Sequence, residues 1–177
     1  MKFRIRVFNI YLLALVCAFA LACQTTDQKK KKELSSMSLH REVNPDSTGR
    51  SEPVPILREH PIYVNVEKDA FLHEAYFTSA SVVEQPGGFA IQIQLNPRGS
   101  KLLEIISVSN QGKHFAILGD FGEKRWLAAP LFSRRIIDGT ITFTPDASRE
   151  EAERIVRGLT TTIKENKQRT AVLFSHE

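Results

Sequence analysis

The stretch PGGFAIQIQLNPRGSKLLEIISVSNQG, residues 86–112, carries the pattern that decides the fold. A Pro-Gly-Gly turn opens it, and apolar residues then occupy every second position up to Leu95, as on a strand with one buried face. Asn96 followed by Pro97 is typical of a helix N-terminus, and an apolar stripe of helical spacing continues until Gly112. The stretch therefore predicts a hairpin strand followed directly by a helix that covers one face of a sheet.

Further strands and a second helix flank this stretch. Residues 62–66 alternate between apolar and polar side chains, residues 115–118 are apolar throughout, and residues 140–144 alternate with β-branched side chains. A capping box begins at Ser148, and apolar residues recur after it at helical spacing. The order of strands, helix, strands and helix predicts an α+β fold, a largely antiparallel sheet with two helices packed on one face.

The N-terminal residues have the pattern of an export signal. Residues 1–22 join a short cationic stretch to an apolar run that is about 20 Å long as a helix, short of the roughly 30 Å hydrocarbon core of a membrane. They are predicted to be a signal peptide. Cys23 follows directly, in a pattern that resembles the lipobox of bacterial lipoproteins, so we expect Cys23 to be lipidated. Ordinary signal cleavage at the same bond, without lipid, remains the alternative.

Composition changes along the rest of the chain. Residues 23–60 contain a lysine run and few apolar side chains, which predicts a lipid-anchored flexible tether. Residues 61–170 are predicted to be the folded domain, and residues 171–177 a C-terminal tail. The net charge of +4 arises before the domain, because residues 61–177 hold equal numbers of basic and acidic side chains. We therefore expect no nucleic-acid partner. The expected membrane partner follows from the lipid anchor on Cys23.

A series of short motifs runs in a fixed order through the predicted domain. They are Asn96-x-x-Gly99, Asn110-x-Gly112-Lys113, Ala116-Ile117-x-x-Asp120, Ala129-Pro130, Ile137-x-Gly139-x-Ile141, Phe143-Thr144, Glu150-Glu151-Ala152 and Val156-Arg157-Gly158-Leu159. Together they resemble the head subdomain of the first periplasmic domain of SecD and SecDF, over residues 61–165. In that family the head is thought to contact an emerging, unfolded polypeptide during proton-driven export. The resemblance implies the same fold, a position in the cell envelope facing the periplasm or exterior, and exported polypeptide or the export machinery as partner.

The residue types of the predicted domain do not favour catalysis. Cys17 and Cys23 lie within or beside the signal, so the domain has neither a disulfide pair nor a cysteine nucleophile. The five histidines have no metal-ligand spacing, and the glycine pairs lack the residues of a phosphate loop. We therefore predict a non-catalytic, membrane-tethered binding module without metal or cofactor.

A small exported hydrolase remains the alternative. Asp120, Glu123 and Asp138 are loop carboxylates that could act as general acid and base, with His114 as a fourth titratable group. Such an enzyme should bring at least two of these four side chains into one concave pocket. A binding module should instead show an open sheet edge or an apolar groove.

The predicted partner-binding surface lies in one segment between two turns. Pro130 cannot donate a backbone hydrogen bond, which favours an edge strand, and a free edge can pair with an added peptide strand. The aromatic residues of the segment could also serve packing. The candidate residues are Trp126, Leu127, Ala129, Pro130 and Phe132.

Overall fold

The computed structural model describes residues 33–174. The predicted signal peptide, Cys23 and the end of the predicted tail lie outside the described residues. Within residues 33–174, no helix is long and apolar enough to cross a membrane.

The described residues form nine strands, two α-helices and one turn of 3-10 helix, Glu74–Tyr76. The elements are β1 (Ser36–Arg41), β2 (Ser51–Ile56), β3 (Ile62–Glu67), β4 (Leu72–His73), β5 (Phe77–Gln85), β6 (Gly88–Leu95), α1 (Pro97–Ser109), β7 (Phe115–Asp120), β8 (Lys124–Ala128), β9 (Thr140–Phe143) and α2 (Arg149–Phe174).

The strands form three antiparallel sheets. One sheet has the order β4-β1-β7-β8, a second consists of β2 and β3, and the third has the order β5-β6-β9. Both helices bury side chains in the core that the first and third sheets share. The predicted α+β class with largely antiparallel pairing is confirmed, although the strands divide into three sheets.

Two clusters of buried apolar side chains form the core. The larger cluster joins β1, β4 to β9 and both helices, and the smaller one joins the β2–β3 hairpin to the four-stranded sheet. The members of the smaller cluster are Val54, Ile56, Val64, Val66 and Ala116, with the partly buried Trp126 and Ala129 packed against them.

The flexible tether predicted for residues 23–60 is wrong from Ser36 onward. Strand β1 lies between β4 and β7, pairs with both, and buries Met37 and Leu39 almost completely. Strand β2 buries Val54 and Ile56. Each of these strands contributes only two apolar side chains to a core. Backbone pairing supplies the remaining stabilisation, for β1 with the distant strands β4 and β7 and for β2 with its hairpin partner β3. Local composition therefore gives too weak a signal for either strand.

The proline residues of β2 obscured the strand further. Pro53 and Pro55 alternate with the buried residues and are exposed. Because β2 pairs with β3 alone, prolines can occupy positions whose nitrogens face away from the ladder. The sequence prediction assigned this stretch to the tether because its composition is polar and contains few apolar side chains.

The predicted boundary between domain and tail at residue 170 is also corrected. Helix α2 continues to Phe174. No glycine or proline follows Gly158 within the helix, so nothing in the backbone chemistry ends it at residue 170.

Both predicted helix starts are confirmed. The Asn96 side chain accepts a hydrogen bond from the Gly99 N–H at 2.9 Å, with Pro97 in the first helical turn. Ser148 and Glu151 form the capping box, in which each side chain accepts the other's backbone N–H, at 3.2 and 2.9 Å.

The segment leading into β1 packs closely on α2. The Thr162 hydroxyl donates to the Ser35 carbonyl at 2.8 Å. A Cβ placed on Gly158 would lie 2.1 Å from the Ser35 Oγ and 2.9 Å from the Ser35 backbone nitrogen. Glycine is therefore required there for the chain before β1 to approach the helix.

Candidate functional site

The predicted binding segment divides between core and surface. Leu127 and Phe132 are fully buried, and the Phe132 ring stacks on Phe115 at a centroid distance of 4.4 Å. The structure therefore corrects the predicted partner contact for these two residues, because a side chain without exposed surface cannot touch a partner. Both belong to the larger core cluster.

Trp126 and Ala129 are partly exposed. Both pack against the β2–β3 hairpin, and the Trp126 indole meets the His40 ring edge to face at 5.2 Å. Packing, the alternative role considered for the aromatic residues, thus accounts for much of the Trp126 surface. Pro130 is partly buried and lines an adjoining groove.

This edge groove lies between β9 and the segment that follows β8. Its main part has a volume of about 500 Å³, and a second hollow of about 380 Å³ adjoins it, with Pro130 and Thr142 lining both. The edge groove is defined here by six residues that line its two parts: Leu57, Ile62, Pro130, Leu131, Ile137 and Thr142.

Apolar side chains around the edge groove are unusually exposed. Leu131 and Ile137 are 48% and 71% exposed, and Leu57 and Ile62 in the adjoining hollow are 45% and 51% exposed. Leu57 also has a φ of 70°, a left-handed conformation that is uncommon for a residue with a branched side chain. Exposed apolar side chains grouped at a concave surface are typical of a binding site.

Few charged groups face the edge groove. Arg134, Arg135 and Asp138 line its main part. Arg135 is bound to Glu104 on α1, and an Asp138 side-chain oxygen accepts the Thr140 N–H at 3.1 Å. Two of the three charged groups are therefore engaged in local structure.

The four titratable groups considered for a hydrolase lie in three different places. Asp138 lines the edge groove, whereas Asp120 ends β7 and Glu123 lies in the turn that follows. His114 precedes β7, where its Nδ1 lies 2.9 Å from the Glu42 Oε2. Two further surface hollows lie within residues 33–174, one lined by Arg58 and Trp126 and the other by Ile163 and Lys167. Neither of them, and neither part of the edge groove, is lined by more than one of the four groups.

His114 and Glu42 form a structural link between β1 and β7. The Glu42 carboxylate accepts the His114 backbone N–H at 2.6 Å as well as contacting the ring. Burial raises the pKa of Glu42, but the hydrogen bonds and charge of His114 outweigh burial, so the pKa lies below its usual value.

One Ser-His contact was not predicted from the sequence. The Ser38 Oγ lies 2.9 Å from the His40 Nε2, and the His40 Nδ1 lies 2.9 Å from the Glu67 carbonyl oxygen. Because a carbonyl only accepts, Nδ1 donates to the Glu67 carbonyl, and in the neutral ring Nε2 then accepts from the Ser38 hydroxyl. His40 is only 7% exposed, and neither residue lines any of the grooves and hollows described within residues 33–174. The Ser38–His40 contact lies within β1, and the His40–Glu67 hydrogen bond joins β1 to β3, so both serve local structure.

Comparisons with known proteins give one consistent result. No protein-family model matches the chain, and no curated protein sequence is significantly similar to it. Among solved structures, one of SecDF, described as a membrane component that enhances protein export, matches with a TM-score of 0.54 and 19% identity. The match covers 78% of this chain and 69% of that chain.

A crystal structure of SecDF in a super-membrane-facing form is also similar. Its TM-score is 0.54 and its identity 19%, over 73% of this chain and 19% of that chain. At this identity the likeness shows a shared fold. The SecDF-like fold predicted from the motifs is therefore confirmed.

Proposed function

We propose that this chain is a non-catalytic binding module of the cell envelope that contacts unfolded polypeptide, in a role tied to protein export. The observation that carries the proposal is the edge groove, an open concave surface surrounded by exposed apolar side chains. An unfolded polypeptide exposes apolar side chains that a folded protein buries, so this surface offers more contacts to the unfolded form. The shared fold with a membrane component that enhances protein export supports the same role.

The proposed location follows from the N-terminal sequence. A signal peptide ending before Cys23, with lipid on that cysteine, would hold the module at a membrane facing the periplasm or exterior. Replacing Cys23 with alanine should release the protein from membranes into the aqueous phase of a detergent partition. An unmodified wild-type N-terminus in the aqueous phase would instead support ordinary signal cleavage.

Binding can be measured with one secretory protein in two forms. The probe is a fluorescently labelled protein that is either native and disulfide-bonded or reduced and carboxymethylated, so that it stays unfolded. The full chain in mild detergent should bind the unfolded form at least tenfold more tightly. Equal affinity for the two forms, or no binding to either, would contradict the proposal.

Two variants connect this binding to the edge groove. Replacing Leu131 or Ile137 with serine should weaken binding about fivefold each, since an apolar contact of about 1 kcal/mol is lost. Ile105 is a matched control because it is 54% exposed on α1 and lies outside the groove lining. Ile105→Ser should leave the affinity within twofold of wild type.

The hydrolase alternative has its own test. If the module only binds, the purified chain should show no hydrolytic activity above background. Asp120→Asn and Asp138→Asn should then give the same background rate as wild type. A hydrolytic activity of the purified chain that either substitution abolished would replace the binding proposal.

A further inference from the structure

Among residues 33–174, strand β9 has one edge that pairs with no other strand. It pairs with β6 alone, with Ile141 opposite Ile93 and Thr142 opposite Gln92. Gly139 lies one residue before β9, opposite Leu95, and its carbonyl accepts the Leu95 N–H at 2.9 Å. Gly139 and Leu95 are therefore a hydrogen-bonded pair of the antiparallel ladder. Hydrogen-bonded and non-bonded pairs alternate along an antiparallel ladder.

The alternation sets the direction of every backbone group on β9. Ile141 and Phe143 are in phase with Gly139, so their N–H and C=O groups point to β6. The backbone groups of Thr140 and Thr142 point away from β6.

Two side-chain bonds support this phase independently. The Thr140 N–H donates to the Asp138 side chain at 3.1 Å, which it could not do if it faced β6. The Gln94 carbonyl, opposite Thr140, accepts the Thr78 hydroxyl at 3.0 Å on the β5 side. The outward N–H and C=O of Thr142 meet no partner among the described residues, and Thr142 is exposed.

The opposite wall of the edge groove is the extended segment after β8, where Leu131 forms an isolated antiparallel bridge with His114. Pro130 O accepts the Phe115 N–H at 3.0 Å, and the Phe132 N–H donates to Lys113 O at 2.9 Å, so both residues face the β7 side. Leu131 between them faces the groove. Its carbonyl accepts the Ser133 N–H at 2.9 Å, which leaves its N–H directed into the groove.

The space between these two edges suits an extended chain. A strand residue occupies about 160 Å³, from a rise of about 3.3 Å, a strand spacing of about 4.8 Å and a sheet spacing of about 10 Å. The main part of the groove, about 500 Å³, therefore accommodates about three residues, and the adjoining hollow of about 380 Å³ accommodates about two more.

We infer that the polypeptide partner binds as an added strand along β9, with its backbone hydrogen-bonded to Thr142 and its other edge toward Leu131. This inference rests on the proposed function and names what is recognised: an extended backbone with free amides. Side chains that point out of the added strand would meet the exposed apolar residues around the groove. Because every peptide has the same backbone, the site accepts many sequences and rejects folded chains, whose amides are already paired.

The test removes one backbone donor and keeps the fold. Thr142→Pro deletes the outward N–H at a position where an edge strand tolerates proline, and Thr142→Ala is the matched control that keeps the N–H. The probe is a labelled ten-residue peptide in which leucine and serine alternate. Thr142→Pro should bind it at least tenfold more weakly than wild type, with Thr142→Ala within twofold, and circular dichroism should show both variants folded.

If Thr142→Pro does not fold, a series of N-methylated probe peptides tests the added-strand binding instead. N-methylation of single residues of the probe should weaken binding to the wild-type chain at least tenfold at alternate positions only. Equal binding of all N-methylated peptides, or equal binding of Thr142→Pro and Thr142→Ala, would overturn the inference while leaving the proposed function standing. Failure of the wild-type chain to bind any unfolded probe would overturn both. Sedimentation could also show that the chain forms dimers and that Thr142→Pro dissociates them. That result would overturn the inference, because the β9 edge would then pair with a second copy of this chain.

Discussion

Replacing Leu39 with alanine should destabilise the whole domain, because β1 belongs to its core. Leu39 is fully buried, and its strand pairs with β4 on one side and β7 on the other. The substitution removes three carbon atoms from the larger core cluster. If residues 23–60 were a flexible tether, the same substitution would have no effect on stability.

The expected loss follows from transfer and cavity contributions. Three carbon groups at about 0.8 kcal/mol each give about 2.4 kcal/mol if the site collapses fully around the alanine. A cavity of about 80 Å³ that stays open adds about 2 kcal/mol at about 24 cal/mol per Å³. Because strands on both sides of β1 restrict its movement, we expect about 3 to 4 kcal/mol, a large part of a typical domain stability of about 5 to 15 kcal/mol.

Urea unfolding of the full chain, followed by far-ultraviolet circular dichroism, measures this loss. The urea concentration at the unfolding midpoint should fall sharply, while the dependence of the free energy of unfolding on urea concentration should change little. This combination indicates a change in stability alone. Leu34→Ala is the matched control, since Leu34 is 51% exposed just before β1 and should change the free energy by less than about 0.5 kcal/mol. A loss below about 1 kcal/mol for Leu39→Ala would refute the placement of β1 in the core.

Three further outcomes are expected. Gly158→Ala should lower the free energy of unfolding by about 1 kcal/mol or more, because the new Cβ meets the Ser35 backbone, although alanine has the better helix propensity. Thermal or urea unfolding measures the change. A rise in stability would show that Ser35 lies farther from α2 than the structure indicates. The side-chain hydrogen bond from Arg41 lowers the pKa of Glu67, so this carboxylate contributes stability above its unfolded pKa of about 4.3 and loses the contribution as pH falls through the lower folded value. The urea midpoints of wild type and Glu67→Gln should therefore differ at pH 7 and converge only as the pH falls below the unfolded pKa and through the lower folded pKa of Glu67. A difference that stays constant over this range would argue against the ion pair. Trp126→Ala should lower the free energy of unfolding by about 2 kcal/mol, because packing on the β2–β3 hairpin is lost. An unchanged urea midpoint would show that Trp126 does not stabilise the fold and would favour a role in partner binding.

The elements that could be predicted from the sequence are those whose signals are local. Asn96 with Pro97, and Ser148 with Glu151, place each cap within one turn of its helix. In β6, apolar and polar residues alternate from Ile91 to Leu95. The motif resemblance added the fold, because the spacing of motifs reflects the order of elements. The structural comparisons confirm that fold.

What the sequence could not show depends on long-range pairing. Strand β1 contributes only Met37 and Leu39 to the core, and its stability depends on strands more than 30 residues away in sequence. A register irregularity between Ile117 and Leu118, opposite β8, shifts the pairing phase and hides which residues near Trp126 face inward. The edge groove likewise depends on which strand ends its sheet.

Amide hydrogen exchange resolved by residue tests the added-strand account most directly. Within β9, the Ile141 and Phe143 amides already donate to β6, whereas the Thr142 amide faces the groove. Saturating the full chain with the alternating leucine-serine peptide should slow exchange at Thr142, and at Leu131 across the groove, at least tenfold, with little change at Ile141 and Phe143. Saturated binding with unchanged exchange at both Thr142 and Leu131 would contradict the account.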